Sequence, residues 1–161
     1  MGKKIIRKPN PLKRSLEDAR REVEVGKWQG IECPCCNQWA KVYPRTLSHG
    51  YAKALIQIYR EAHRTWVHVQ SLPNGPKGGD YAKLRFWGLL EKSPERQEGE
   101  QSAGMWRVTR AGRLFVLGRS EVPKYALIYD DQFYGFEGPE ISIHEALGKK
   151  FRLDELLDGP D

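Results

Sequence analysis

The sequence predicts an α+β fold, and three observations lead to it. Residues 51–62 place Ala52, Leu55, Ile58 or Tyr59, and Ala62 at helical spacing. Val67 and Val69 alternate with His68 and Gln70, the two-residue period of a strand. Two apolar runs, 125–129 and 132–136, flank Asp130 and Asp131, which predicts a hairpin. At 161 residues, one core with terminal extensions is expected. Apolar residues make up 39% and charged residues 30%, a globular balance.

The elements follow in order. Met1 to Leu12 carries Pro9 and Pro11 among charged residues, so residues 1–14 are expected as a basic flexible arm. Ser15 caps a short helix over 15–25, with Asp18 at its third position, and Gly26 ends it. Residues 30–42 read as a tight loop or hairpin around Cys33, Cys35 and Cys36. Trp39 beside them is expected to pack rather than stack on a base.

Ser48 introduces the 51–62 helix; a short strand over 65–70 and a Pro- and Gly-rich loop over 71–79 follow. Asp80 is expected to cap a helix over 81–90 whose Tyr81, Leu84, Trp87 or Gly88, and Leu90 face inward. Residues 94–104 are polar and read as a loop or wing tip, and 105–108 as a strand. Thr109 caps a helix over 110–117 with Leu114, Phe115 and Leu117 toward the core, stopped by Gly118. Ser142 and Glu145 form a capping-box pattern for 143–147, and 153–157 is a further short helix.

Charge is distributed unevenly. Residues 1–21 hold eight basic residues against two acids, and 41–92 hold nine against three. Residues 93–161 hold nine against thirteen, so an acidic tail follows a basic arm and middle. The net charge is +6. This pattern attracts a polyanion while limiting surplus positive charge elsewhere; solubility alone is the other reading. The arm's Lys3, Lys4, Arg7 and Lys8 suit phosphates or a minor groove.

The segment YAKLRFWGLL at 81–90, followed by a polar loop and then GMWRVTRAG at 104–112, resembles part of the winged-helix DNA-binding superfamily, over about residues 51–118. The resemblance implies a winged-helix-like core over 51–118. Beside it stand a small cysteine-containing knuckle within 15–50 and a C-terminal β-hairpin with short helices over 119–161. It also implies that 81–90 is the recognition helix, that Lys83 and Arg85 reach nucleic acid, and that 92–107, with Arg107, is the strand and wing region. Lys and Arg on a helix in a major groove contact phosphates or the acceptors of guanine.

Cys33 and Cys36 have the C-x2-C spacing of half a structural zinc site, and three cysteines within four positions suit reduced thiols in a cytoplasmic protein better than disulfides. His49 stands thirteen positions after Cys36, a zinc-finger-like separation, with His63 or His68 as the remaining candidate ligand. Zinc is thus the one cofactor the pattern suggests, and a small knuckle without metal is the alternative. No nucleophile elbow, phosphate-binding loop, metalloprotease motif or dinucleotide fingerprint occurs, so no catalysis is expected. No apolar run approaches the length of a membrane span. The expected function is that of a DNA-binding accessory or transcriptional regulatory protein with duplex DNA as partner. The alternative is a protein–protein adaptor using Tyr125, Tyr129, Phe133, Tyr134 and Phe136.

Overall fold

The structure, a computed structural model, describes residues 14–94 and 104–159. The predicted basic arm and the tip of the polar loop lie largely outside these residues. In chain order the helices are α1 (Leu16–Gly26), α2 (His49–Ala62), α3 (Arg110–Val116), α4 (Ile143–Leu147) and α5 (Leu153–Asp158). The strands are β1 (Ile31–Glu32), β2 (Trp39–Ala40), β3 (Tyr43–Thr46), β4 (Leu90–Lys92), β5 (Trp106–Val108), β6 (Val122–Tyr129) and β7 (Gln132–Ile141). Two 3₁₀ helices, Val69–Ser71 and Asp80–Trp87, lie between α2 and β4. The fold is therefore α+β. Among the described residues the strands form three sheets: β1–β2, β4–β5, and β3–β6–β7. The chain divides into two compact units, one reaching Pro44 and including Leu127–Gly135, the other comprising Arg45–Ala126 and Phe136–Asp161.

In the first unit Ser15 caps α1 as its sequence predicts, its Oγ accepting the Asp18 N–H at 3.1 Å. Gly26 is the last residue of the helix, and a Cβ there would lie 2.9 Å from the Ile31 side chain. The β1–β2 hairpin pairs Ile31 with Ala40 and Glu32 with Trp39. Its loop is tied by the Cys33 N–H donating to Gln38 O at 2.7 Å and the Asn37 N–H to Cys33 O at 2.9 Å. Asn37 takes a φ of 58°, a left-handed conformation that asparagine tolerates better than most residues.

Lys27 is fully buried. Its ammonium donates to Glu24 and, at 2.8 Å, to the Tyr134 hydroxyl, 4.0 Å from the Tyr134 ring centroid. Burial alone lowers the lysine pKa, but the hydrogen bonds to Glu24 and Tyr134 outweigh it and the net direction is upward. The charge is retained inside the unit because it is paired and hydrogen-bonded.

The second unit is built around α2, which packs against α3, α4, α5, β5 and the Asp80–Trp87 helix. Its Ala52, Leu55, Ile56 and Ile58 are wholly buried. The predicted strand over 65–70 is reduced to Val67, which exchanges two 2.9 Å backbone hydrogen bonds with Trp106 before the chain turns into Val69–Ser71. Two alternating valines cannot extend a ladder when the Ser71 N–H already closes a turn onto His68 O.

The predicted 81–90 helix also differs. Asp80–Trp87 is 3₁₀, Gly79 rather than Asp80 occupies the cap position, and Gly88 at φ +68° ends it so that Leu89 and Leu90 lead into β4. Tyr81, Leu84 and Trp87 are its buried residues. That strict three-residue repeat lies on one edge of a 3₁₀ helix and drifts around an α-helix. Trp87 is fixed by its indole N–H donating to Pro123 O at 2.7 Å.

β4 and β5 are antiparallel, with Leu90 opposite Val108, Glu91 opposite Arg107 and Lys92 opposite Trp106. Thr109 then caps α3, accepting the Gly112 N–H at 3.0 Å and donating its hydroxyl to Gly88 O at 2.6 Å. Phe115 and Val116 face the core, whereas Leu117, expected there, is 42% exposed. Val116 fills the inward position because α3 ends there and Gly118, at φ +69°, turns the chain away. Asp130 and Asp131 form the two-residue turn of the β6–β7 hairpin, both at positive φ. The Ser142–Glu145 capping box starts α4 with both of its hydrogen bonds formed.

Candidate nucleic-acid interface

The Asp80–Trp87 helix places Lys83 and Phe86 one 3₁₀ turn apart, on an edge distinct from the buried Tyr81, Leu84 and Trp87. Arg85 and Ala82 share the third edge, and an Arg85 guanidinium N–H donates to Ala82 O at 3.1 Å. Both cations flank the same ring: the Arg85 guanidinium lies 4.5 Å and the Lys83 ammonium 5.9 Å from the Phe86 centroid. Lys83, Arg85 and Phe86 are all half-buried. The stems pack while part of each side chain meets solvent.

Arg107 is positioned differently. Its Nε and Nη2 donate to Glu91 Oε1 at 2.8 and 2.7 Å across the β4–β5 ladder, and its guanidinium lies 4.3 Å from the Trp66 centroid. The charge is thus locally matched, which makes Arg107 a weaker attractor of phosphate than its sequence position implied. On the neighbouring strand Lys92 is exposed, its ammonium 6.0 Å from the Trp106 ring. Lys3, Lys4, Arg7 and Lys8 lie outside the described residues.

Phe86, Trp66 and Lys92 are the parts of this surface that sequence reasoning missed. The three-residue separation of Lys83 and Phe86 was the available signal for the first. Trp66 pairs with Arg107 across 41 positions, so no local pattern exposes that contact.

The predicted zinc residues belong to different elements. Cys33, Cys35 and Cys36 are free thiols in the β1–β2 loop of the first unit. His49 starts α2 in the second unit, its ring 5.9 Å from that of Phe151. Among the described residues no group of three or more His, Cys, Asp or Glu side chains is arranged to hold a metal. The knuckle has its own electrostatics: backbone N–H groups of Cys36 and then Cys35 pull the Cys33 thiol below its ordinary pKa, while desolvation, then the neighbouring Cys33, pushes Cys35 up. Two amide dipoles thus favour the Cys33 thiolate over that of Cys35.

Trp39, expected to pack, is 60% exposed and lies over Gly30, where a Cβ would sit 2.2 Å from the indole. Of the aromatic residues near the acidic tail, Tyr134 is engaged with Lys27 and meets Trp28 edge-on at 5.6 Å, and Tyr125 covers Gly138. Phe133 and Phe136 remain exposed. Among the described residues no helix is long and apolar enough to cross a membrane. Comparison with protein-family models, with curated proteins and with solved structures finds no match.

Proposed function

We propose that the chain is a DNA-binding accessory or transcriptional regulatory protein of winged-helix type, reading duplex DNA with the Asp80–Trp87 helix and the β4–β5 hairpin. The observation that carries this reading is the placement of Lys83 and Arg85 about Phe86, on a short helix that runs through Gly88 directly into a two-stranded hairpin. The surrounding order supports it. Helix α2 is followed by an extended Val67 paired with β5, then by the short helices, β4, the polar loop, β5 and the Thr109 cap. This order supports the resemblance in its helix, its two strands and its threonine cap, with a 3₁₀ helix where an α-helix was expected and only the three-residue Val69–Ser71 turn where a supporting helix would stand. Zinc and catalysis have no part in the proposal.

Cations on the helix supply phosphate contacts and polar contacts to base edges, and the hairpin carries Lys92 alongside the duplex. Phosphate contacts release counterions, so affinity falls with salt. Titration of a labelled duplex, of single-stranded DNA and of RNA against the full chain at several salt concentrations tests the reading. Duplex is expected to bind best, with log affinity falling linearly in log salt at a slope of about −2 or steeper. Equal or better binding of single strands removes the groove-reading helix from the account.

The adaptor reading retains one supporting observation. Phe133 and Phe136, at 43% and 45% exposure, are large apolar groups in water on β7. A protein partner that contacts either ring, with no nucleic-acid affinity in the chain, leaves the duplex titration flat.

A further inference from the structure

A groove in the second unit, of about 720 Å³, is lined by the carboxyl end of α2, by α3 and by the residue that follows Gly118. Arg64, Arg110, Arg113 and Arg119 line it, with His63 and Thr65, and no carboxylate does. Elsewhere among the described residues Arg14, Arg21, Arg60, Arg107 and Arg152 each meet a carboxylate, whereas Arg20 and Arg45 meet no described one. The four groove arginines form no salt bridge with a described residue.

The backbone brings them together by identifiable means. His63 leaves α2 at φ 49°, its ring edge-on to Tyr59 at 5.5 Å, and Arg64 follows at the rim. Arg110 and Arg113 lie one turn apart on α3, and an Arg113 guanidinium N–H donates to Val108 O at 3.1 Å, which holds the side chain and leaves its other donors directed elsewhere. Gly118, at φ +69°, reverses the chain so that the Arg119 N–H reaches Leu114 O at 2.8 Å and its side chain returns to the groove. Four like charges about one concavity repel one another, and a bound anion relieves that repulsion. Guanidinium groups match phosphate with paired N–H donors.

We propose that this arginine groove is a second phosphate site, engaging the backbone of the bound nucleic acid through residues that the Lys83–Arg85 surface does not include. The proposal rests on the nucleic-acid reading for the source of its phosphate. Contacts of this kind fix orientation on a duplex without reading sequence.

The test compares the full chain with R64Q/R110Q/R119Q and with K83Q/R85Q, each shown by thermal melting to retain its fold, using a labelled duplex and inorganic pyrophosphate as probes. Neutralising three phosphate contacts is expected to reduce the magnitude of the duplex salt slope by about 2 to 3 and to weaken binding about 100-fold at 0.1 M salt. The loss should be the same for unrelated duplex sequences. Pyrophosphate binding should be lost in R64Q/R110Q/R119Q and retained in K83Q/R85Q. An unchanged duplex slope and affinity in the triple variant overturns the groove while leaving the helix reading intact. Loss of pyrophosphate binding with duplex binding unchanged assigns the groove to a free phosphorylated ligand and overturns its use by the backbone. An unaltered chain without duplex affinity overturns both readings.

Discussion

Gly112→Ala is expected to destabilise the second unit by about 3 kcal/mol, near the upper end of the usual cost of overpacking. Helix propensity alone points the other way, since alanine in a helix interior is favoured over glycine by about 1 kcal/mol. Geometry decides the sign. A Cβ at Gly112 would lie 2.2 Å from Leu89 O and 2.8 Å from Val108 Cγ1. The nearer obstacle is backbone, and it cannot swing aside as a side chain would. Leu89 O also accepts the Thr109 N–H at 3.1 Å, and the Thr109 hydroxyl holds Gly88 O. Displacing that carbonyl therefore disturbs the Gly88 turn, the start of β4 and the cap of α3 together. The same change at Gly50 provides the contrast, because among the described residues its Cβ would meet only Ser48 Oγ, at 3.7 Å. Gly50→Ala is expected to raise stability by about 0.5 kcal/mol. Urea denaturation of both variants checks the pair; a neutral Gly112→Ala would mean that Leu89 and α3 are less closely packed than described.

K83Q/R85Q is expected to weaken duplex binding about 30-fold at 0.1 M salt and to reduce the magnitude of the salt slope by about 2. A base-edge contact within the pair adds about 1–3 kcal/mol of sequence discrimination, which the variant should also lose. Glutamine preserves most of each stem, so packing around Phe86 is largely retained while the charge is removed. R107Q is expected to cost less than this pair, because Glu91 already meets that guanidinium through two donors. Anisotropy titrations of the three proteins give the ranking directly. If R107Q is the most damaging, the contact surface lies along β5 rather than on the Asp80–Trp87 helix.

Much of the architecture was legible from local chemistry. Ser15, Thr109 and Ser142 announced three helix starts because an N-cap hydroxyl acts on a backbone N–H only three residues away. Asp130–Asp131 announced its hairpin because the turn and its flanking runs are contiguous. The helix expected over 81–90 is 3₁₀, spans 80–87 and gives way to β4 at Leu90: Tyr81 and Leu84 fit both helical periods, and the distinguishing evidence, Trp87 three rather than four positions on, also fits an α-helix that widens its buried face. The 65–70 alternation was real but too short, since strand pairing depends on a partner, and among the described residues only Trp106 supplies one.

The candidate site was less legible than the fold. Lys83 and Arg85 were visible as cations on a helix, but Glu91 beside Arg107 and Trp66 beneath it emerge only when distant segments pair. Likewise Arg64, Arg110, Arg113 and Arg119 are scattered along the chain and become one groove only through the packing of α2 on α3. The cysteines are a different case, because C-x2-C spacing names two candidate ligands within one loop and no more. Their spacing suggested a ligand set whose remaining members lie on elements that the fold does not gather into a metal group.

Amide hydrogen exchange of the full chain, with and without saturating duplex DNA, tests the central claim most directly. Added protection is expected across residues 80–92 and 105–108, with Lys83 to Phe86 among the most protected. Duplex-dependent protection confined to the β1–β2 hairpin around Trp39, with no change at residues 80–92, would contradict it.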